Sequence, residues 1–145
     1  YIVGINATSQ GTIMRYNPAT ETELDSYTGL VMPEDVEVKK PYIYIADGGD
    51  GPIDKIVQLD SHLENPAGYG TWLNTPDAKT TEGQFWGPRR FVGIRNDALI
   101  IIDDSSQPYT NLGELISMQD ITGKGWTPYG SDGKDPGEFQ FFYGC

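Results

Sequence analysis

Carboxylate side chains are concentrated in two loops of this 145-residue chain, and carboxylate oxygens are the ligands that calcium prefers in proteins. Asp47, Asp50 and Asp54 lie in one Gly-rich loop, and Asp103 and Asp104 lie in a second. The spacing differs from that of an EF-hand, because the regular alternation of ligands and the closing Glu are missing. Alternatively, these side chains cap turns by accepting hydrogen bonds from backbone N–H groups. The sequence leaves both interpretations open, a calcium site or a set of turn caps.

A second candidate site combines aromatic and basic side chains. Aromatic residues and Arg are the commonest anchors of protein interfaces. Trp86, Arg89, Arg90 and Tyr109 stand near turns and have no counterpart elsewhere in the chain. We predict that these four residues contact a protein or small-molecule partner, with packing inside the fold as the alternative.

Residues for metal-dependent or nucleophilic catalysis are sparse. His62 is the single histidine and Cys145 the single cysteine. Catalytic zinc sites need several His, Cys or carboxylate ligands together, and no Ser/His/Asp triad can be assigned around His62. We predict a solvated loop for His62 and no internal disulfide. The sequence therefore indicates no catalytic residue.

The charge of the chain argues against two classes of partner. Its 10 Lys and Arg residues face 21 Asp and Glu residues, which gives a formal net charge of −11. Nucleic-acid-binding proteins need a basic surface to displace phosphate counterions, and anionic membrane surfaces attract the same kind of surface. No apolar run approaches the roughly 20 residues that span a bilayer. We therefore predict no nucleic-acid partner and no membrane span.

Short apolar runs separated by turn residues are the elements that position these groups. The chain has 18 Gly and 10 Pro residues. Residues 2–5, 42–46 and 99–102 are β-rich runs, and each is followed by a polar turn and a second β-rich run, which is typical of hairpins. Helix interiors tolerate neither Gly nor Pro. We predict an all-β chain without a helix longer than two turns.

Several landmarks recur at a spacing of 54 to 56 residues. Gly83-Gln84-Phe85 returns as Gly137-Glu138-Phe139, and Trp72, Pro33 and Asp47 return as Trp126, Pro88 and Asp103. Four-stranded units of this length are typical of propeller blades. We assign residues 1–30 to a partial blade, 31–82 and 83–136 to two full blades, and 137–145 to the start of another.

Within this scheme, residues 2–5 are interpreted as the second strand of the first, partial blade. The recurring Phe85 and Phe139 are predicted to be repeat-core residues wedged between blades, and Trp72 and Trp126 are predicted to pack within the blades.

The second full unit resembles an NHL repeat. The similarity rests on Gly83-Gln84-Phe85-Trp86-Gly87-Pro88, the apolar strand that ends at Asp103, and the Gly-rich close from Gly123 to Gly133. The resemblance implies a β-propeller fold and a bacterial, extracytoplasmic protein. It implies no single activity, because propellers of this family perform unrelated functions.

Together these observations predict a β-propeller fragment of about three four-stranded blades. We expect a non-catalytic binding or scaffold segment that holds a protein, glycan or small ligand on the rim of the channel. The alternative is part of a metal-dependent propeller hydrolase or lyase. Propellers need at least four blades. The missing blades are expected from more of the same parent chain or from a homodimer.

Overall fold

The computed structural model describes residues 1–48, 55–72, 81–104, 113–130 and 136. These residues form thirteen β-strands, and no helix occurs in the described ranges. The all-β prediction is therefore confirmed for this part of the chain. No described segment has the helical length and apolar character needed to cross a membrane.

The strands form three antiparallel sheets, which we call sheets 1, 2 and 3 in chain order. Sheet 1 has the order β1 (Ile2–Ile5), β2 (Gly11–Asn17) and β3 (Thr22–Leu30). Sheet 2 has the order β4 (Pro33–Lys39), β5 (Tyr42–Asp47), β6 (Lys55–Asp60) and β7 (Ala67–Tyr69). A short parallel pair follows, β8 (Thr71–Trp72) with β9 (Gln84–Phe85). Sheet 3 has the order β10 (Pro88–Arg95), β11 (Ala98–Asp104), β12 (Gly113–Met118) and β13 (Thr127–Tyr129).

Turn chemistry explains the tight connection at the start of sheet 3. Asn96 and Asp97 join β10 to β11 and have φ values of 50° and 64°. A two-residue hairpin of this kind requires positive φ at both central residues, and Asn and Asp tolerate that conformation better than other residues with side chains. The sequence Asn-Asp between two apolar runs therefore fixes the register of this hairpin.

Sheet 2 lies between the other two sheets, and its second strand is buried on both faces. Ile43 and Ile45 of β5 belong to the apolar cluster shared with sheet 1, whereas Tyr44 and Ala46 belong to the cluster shared with sheet 3. Successive side chains of a strand point to opposite faces. This is why β5 is a continuous apolar run and does not alternate apolar with polar residues.

Two apolar clusters hold the sheets together. The first cluster joins sheets 1 and 2 through Ile13, Leu30, Ile43, Ile45, Val57, Leu59 and Leu63. The second joins sheets 2 and 3 through Tyr44, Ala46, Ile56, Phe85, Leu99, Ile101, Ile116 and Met118. Burial of one such large apolar side chain contributes about 1.5–3 kcal/mol. Apart from Phe85 in β9 and Leu63 in a turn, the buried side chains of both clusters come from the second and third strands of the sheets.

The first strands of sheets 2 and 3 lie beside one another. β4 contacts β10 of sheet 3, and on its other side it contacts β1 of sheet 1. Pro33 at the start of β4 lies beside Gly11, which pairs with Ile5 at the end of β1. β1 therefore corresponds to β5, whose end likewise lies beside Pro88 at the start of β10, and this agrees with its interpretation as a second strand.

The equivalence inferred for Trp72 and Trp126 does not hold in the structure. Trp72 follows the last strand of sheet 2, in β8, whereas Trp126 precedes the last strand of sheet 3. The cause is the unequal length of the loops. Asp47 pairs with Lys55 across the first loop, and Asp103 pairs with Glu114 across the second. The second loop is therefore three residues longer than the first.

Candidate functional site

We use the term rim for the end of sheets 2 and 3 at which the first strand begins and the second strand ends. Pro33 lies opposite Asp47 in sheet 2, and Pro88 lies opposite Asp103 in sheet 3. Of the sequence-predicted site residues, Asp47, Asp103, Arg89 and Arg90 lie at this end of the described sheets, because proline begins each first strand at the same register.

Asp47 and Asp103 make equivalent hydrogen bonds at the rim. Oδ1 of Asp47 accepts hydrogen bonds from the backbone N–H groups of Val31 and Met32, both at 2.9 Å. The two carboxylate oxygens of Asp103 accept from the N–H groups of Trp86 and Gly87, at 2.9 and 2.8 Å. In both sheets the donors are the two residues before the proline. Each carboxylate therefore fixes the chain where it enters a first strand.

The environment of Asp47 differs from that of Asp103 in one respect. Asp47 is 1% exposed, and its Oδ2 atom has no hydrogen-bond partner among the described residues. Burial raises the pKa of this carboxyl above its ordinary value, and the two N–H donors and the charge of Lys55 oppose the rise. Asp47 is thus a buried acid with one oxygen that is not hydrogen-bonded within the described structure.

The predicted calcium ligands are only partly described. Asp50 and Asp54 lie outside the described residues, and so does the side chain of Asp104. Asp47 and Asp103 act as caps on the backbone, as in the turn-capping interpretation. Within the described residues, no group of three or more His, Cys, Asp or Glu side chains is placed to hold a metal ion. Calcium binding at these loops stays a prediction.

Two polar contacts join sheets 2 and 3 at the rim. Nη1 of Arg89 lies 3.2 Å from Oε1 of Glu34, and both side chains are about 30% exposed. Next to this ion pair, Oδ2 of Asp35 accepts a hydrogen bond of 2.9 Å from the N–H of Phe91. The rim therefore carries a paired charge between neighbouring sheets, in addition to the apolar cluster below it.

The four predicted partner-contact residues have different environments. Trp86 is only 7% exposed, which agrees with the packing alternative, and its contact with a partner stays a prediction. Its backbone N–H donates a hydrogen bond to the carboxylate of Asp103, which is fully buried. Arg90 is exposed, Arg89 pairs with Glu34, and Tyr109 lies outside the described residues.

Glu34 and Asp35 contribute to the rim and were not singled out in the sequence. They follow Pro33 as Arg89 and Arg90 follow Pro88. The sequence therefore did contain a pattern that indicates these two residues, because one repeat has acidic side chains at the positions where the next repeat has basic ones. His62 lies away from this site and is 67% exposed.

Sheet 3 has an apolar face that sheet 2 does not cover. A groove of about 690 Å³ crosses this face, and its walls include Val92, Ile94, Ile100, Leu115 and Tyr129. Tyr129 and Val92 are 52% and 50% exposed. At the other end of the described structure, Ile2 and Leu24 of sheet 1 are similarly exposed, at 53% and 50%. Large exposed apolar patches mark interaction surfaces in proteins.

Comparison with family models, with curated proteins and with solved structures finds no significant match to this chain.

Proposed function

We propose that the chain is part of a non-catalytic β-propeller of NHL-like repeats and that sheets 1, 2 and 3 are three of its blades. The stacking of one three-stranded and two four-stranded sheets and the adjacency of β1, β4 and β10 support this proposal. Blades in a propeller are arranged around a channel with their first strands innermost. The equivalent caps at Asp47 and Asp103 further support a repeated unit.

The proposed function is to hold a protein, a glycan or a small ligand at the rim. The observation that carries this proposal is the exposed Arg90, which lies next to the Glu34–Arg89 ion pair. A guanidinium group presents several N–H donors in a fixed plane and binds carboxylate, phosphate and hydroxyl oxygens. Arg90 is therefore the anchor, and Arg89 is held in place by Glu34.

The test compares two arginines on opposite ends of β10. Wild-type chain, Arg90→Ala and Arg95→Ala are applied to one array of neutral and acidic glycans and one of neutral and acidic peptides. We expect the wild-type signal to fall at least about tenfold in Arg90→Ala, which corresponds to about 1.4 kcal/mol. Arg95→Ala should bind as the wild type does, because Arg95 lies at the end of β10 remote from the rim. Equal binding by wild type and Arg90→Ala contradicts the proposal.

The two exposed apolar faces lead to a proposal about assembly. Bare sheet faces associate. The partners of sheets 1 and 3 are either more blades of the same parent chain or the faces of a second copy in a homodimer. Sedimentation velocity of the 145-residue chain tests this directly, and a well-behaved monomer with a cooperative melt contradicts it. An extracytoplasmic location is proposed on the NHL resemblance alone.

A further inference from the structure

β1 leaves one edge of sheet 1 unpaired within the described residues. It pairs with β2 on one side only, and sheet 1 has three strands. β5 and β11, the second strands of the two four-stranded sheets, are paired on both sides, and their additional partners are β4 and β10. The strand without a counterpart in sheet 1 is therefore either one beyond β3 or one beside β1, and the packing of sheet 1 against sheet 2 decides between them.

Close approaches at two glycines show that β1 corresponds to β5. A Cβ atom at Gly48, directly after β5, would lie 2.6 Å from the carbonyl oxygen of Pro88, the first residue of β10. A Cβ atom at Gly11, which pairs with Ile5 at the end of β1, would lie 2.6 Å from Cδ of Pro33, the first residue of β4. Both β1 and β5 therefore end beside the start of the next sheet's first strand. The strand without a counterpart is the one that would pair with β1.

The backbone groups on the free edge of β1 belong to Val3 and Ile5. The N–H of Asn6 donates to the carbonyl oxygen of Gln10 at 2.9 Å, which makes these two residues a hydrogen-bonded pair at the end of the hairpin. Hydrogen-bonded and non-hydrogen-bonded pairs alternate along antiparallel strands. Val3 and Ile5 therefore direct their N–H and C=O groups away from β2. Such an edge is a template for the addition of an extended peptide.

β4 gives this edge an acidic border. A strand paired with β1 would lie beside β4, as β4 lies beside β10. β4 carries three carboxylates, Glu34, Asp35 and Glu37, and β10 carries three arginines. Glu34 pairs with Arg89 at 3.2 Å, whereas Glu37 forms no ion pair among the described residues. β4 thus has a basic strand on one side, and its charge favours a basic strand on the other side as well.

We propose that the free edge of β1 binds an extended basic peptide, which pairs antiparallel to β1 and adds a fourth strand to sheet 1. Main-chain hydrogen bonds to Val3 and Ile5 supply affinity, and Lys or Arg side chains beside β4 supply specificity. β1 of a second copy is a poorer occupant, because it has no charged side chain and would bring two acidic β4 strands together. This surface is distinct from Arg90, and the inference does not depend on binding at the rim.

The test uses the full chain and a synthetic peptide with the sequence of residues 88–95, Pro-Arg-Arg-Phe-Val-Gly-Ile-Arg, blocked at both ends. The control peptide has Glu in place of each Arg. We expect the arginine peptide to slow the amide exchange of Val3 and Ile5, measured by NMR, because their N–H groups become hydrogen-bonded. The control peptide should leave both exchange rates unchanged. Protection by both peptides or by neither overturns the inference, as do exchange changes confined to β11, from which the peptide would displace β10.

A proline in β1 tests the backbone contacts. Ile5→Pro removes an N–H group that points away from β2, and Gly4→Ala is the matched control, because a Cβ atom at Gly4 meets no other atom within 4 Å. We expect the affinity for the arginine peptide to fall at least about tenfold in Ile5→Pro and to stay unchanged in Gly4→Ala. The methyl resonances of Ile13 and Ile43 report whether sheets 1 and 2 remain packed in each variant.

A second variant tests the charges without altering β1. Glu37→Gln should weaken the arginine peptide about threefold, and Glu23→Gln, on the opposite edge of sheet 1, should not. Wild-type affinity in a folded Ile5→Pro variant or in Glu37→Gln contradicts the inference. Protection of Val3 and Ile5 that rises with protein concentration in the absence of peptide indicates a second copy at this edge and also overturns it.

Discussion

Glu34 and Arg89 occupy equivalent positions in neighbouring repeats, one residue after Pro33 and Pro88, and their side chains form an ion pair 3.2 Å apart. In a stack of similar units, each position meets its own counterpart in the next unit. Like charges at such a position would repel, so alternating signs are required for the pair to form. The sequence of each repeat at this position therefore depends on that of its neighbour.

The contribution of this ion pair to stability is expected to be small. Both side chains are partly exposed, and pairs of this kind contribute about 0.2–1 kcal/mol. A double-mutant cycle with Glu34→Gln and Arg89→Gln should give a coupling energy in that range, measured by urea denaturation. The coupling should decrease in high salt, because solvent ions screen exposed charges. Strictly additive effects would show that the pair is not formed in solution.

The same substitution at the two capping aspartates should have unequal effects. In Asp103→Asn, one of the two accepting oxygens becomes an NH₂ group that faces a backbone N–H donor. Loss of a buried acceptor costs about 1–3 kcal/mol. In Asp47→Asn, Oδ1 can keep both hydrogen bonds, because both donors point to that single atom.

Urea denaturation of the two variants at pH 7 measures this difference. We expect Asp47→Asn to remain within about 1 kcal/mol of the wild type and Asp103→Asn to lose more. Equal losses would mean that Oδ2 of Asp47 has an essential partner, for example a cation in the predicted calcium loop. Repeating the melts with added calcium and with a chelator separates those possibilities.

The raised pKa of Asp47 predicts a specific dependence of stability on pH. A carboxyl whose pKa is higher in the folded than in the unfolded state binds its proton more tightly when folded. Its contribution is therefore fully present below the unfolded pKa of about 3.9 and is lost as the pH rises through the folded pKa. The difference in unfolding free energy between wild type and Asp47→Asn should fall as the pH rises from 3. A difference that grows with pH contradicts this reasoning.

Phe85 is expected to be among the most sensitive positions of the chain. It is fully buried between sheets 2 and 3, and truncation of a buried Phe to Ala costs about 3–5 kcal/mol. Val92→Ala is the matched control on the exposed face, and surface substitutions usually stay within about 0.5 kcal/mol. Thermal denaturation of both variants is the measurement. A mild effect of Phe85→Ala would show that the two sheets are not packed through this ring.

Trp86 and Arg90 were grouped by sequence, but the structure predicts different consequences for their replacement. Trp86→Ala should lower stability by about 3–5 kcal/mol, because the ring is buried. Arg90→Ala should leave the melting temperature nearly unchanged, because the side chain is exposed. Differential scanning calorimetry compares the two. A stable, fully folded Trp86→Ala variant would restore the interpretation of Trp86 as a partner contact.

The strands were predictable where local patterns determine them. The apolar runs of β5 and β11, the turn at Asn96-Asp97 and the proline starts of β4 and β10 each have a local physical cause. The contact between β1 and β4, however, joins strands that have two others between them in the chain. A strand can be predicted from the residues within it, whereas the neighbour that packs beside it is determined by residues distant in sequence.

The candidate site was predictable in the same limited way. The capping role of the loop aspartates follows from their position at strand ends, and the structure gives it to both Asp47 and Asp103. The burial of Trp86 was not visible, because a tryptophan beside arginines also fits an exposed interface. Trp126 was misaligned with Trp72 because a fixed spacing cannot follow loops of unequal length.

The burial of β5 on both faces has an evolutionary consequence. Ile43 and Ile45 contact one neighbouring sheet, while Tyr44 and Ala46, which alternate with them along the chain, contact the other. Selection on adjacent codons of this strand therefore acts through different partners. Substitutions at residues 43 and 45 should co-vary with substitutions in sheet 1, and those at 44 and 46 with substitutions in sheet 3. Two independent sets of co-varying positions would then alternate within one strand of six residues.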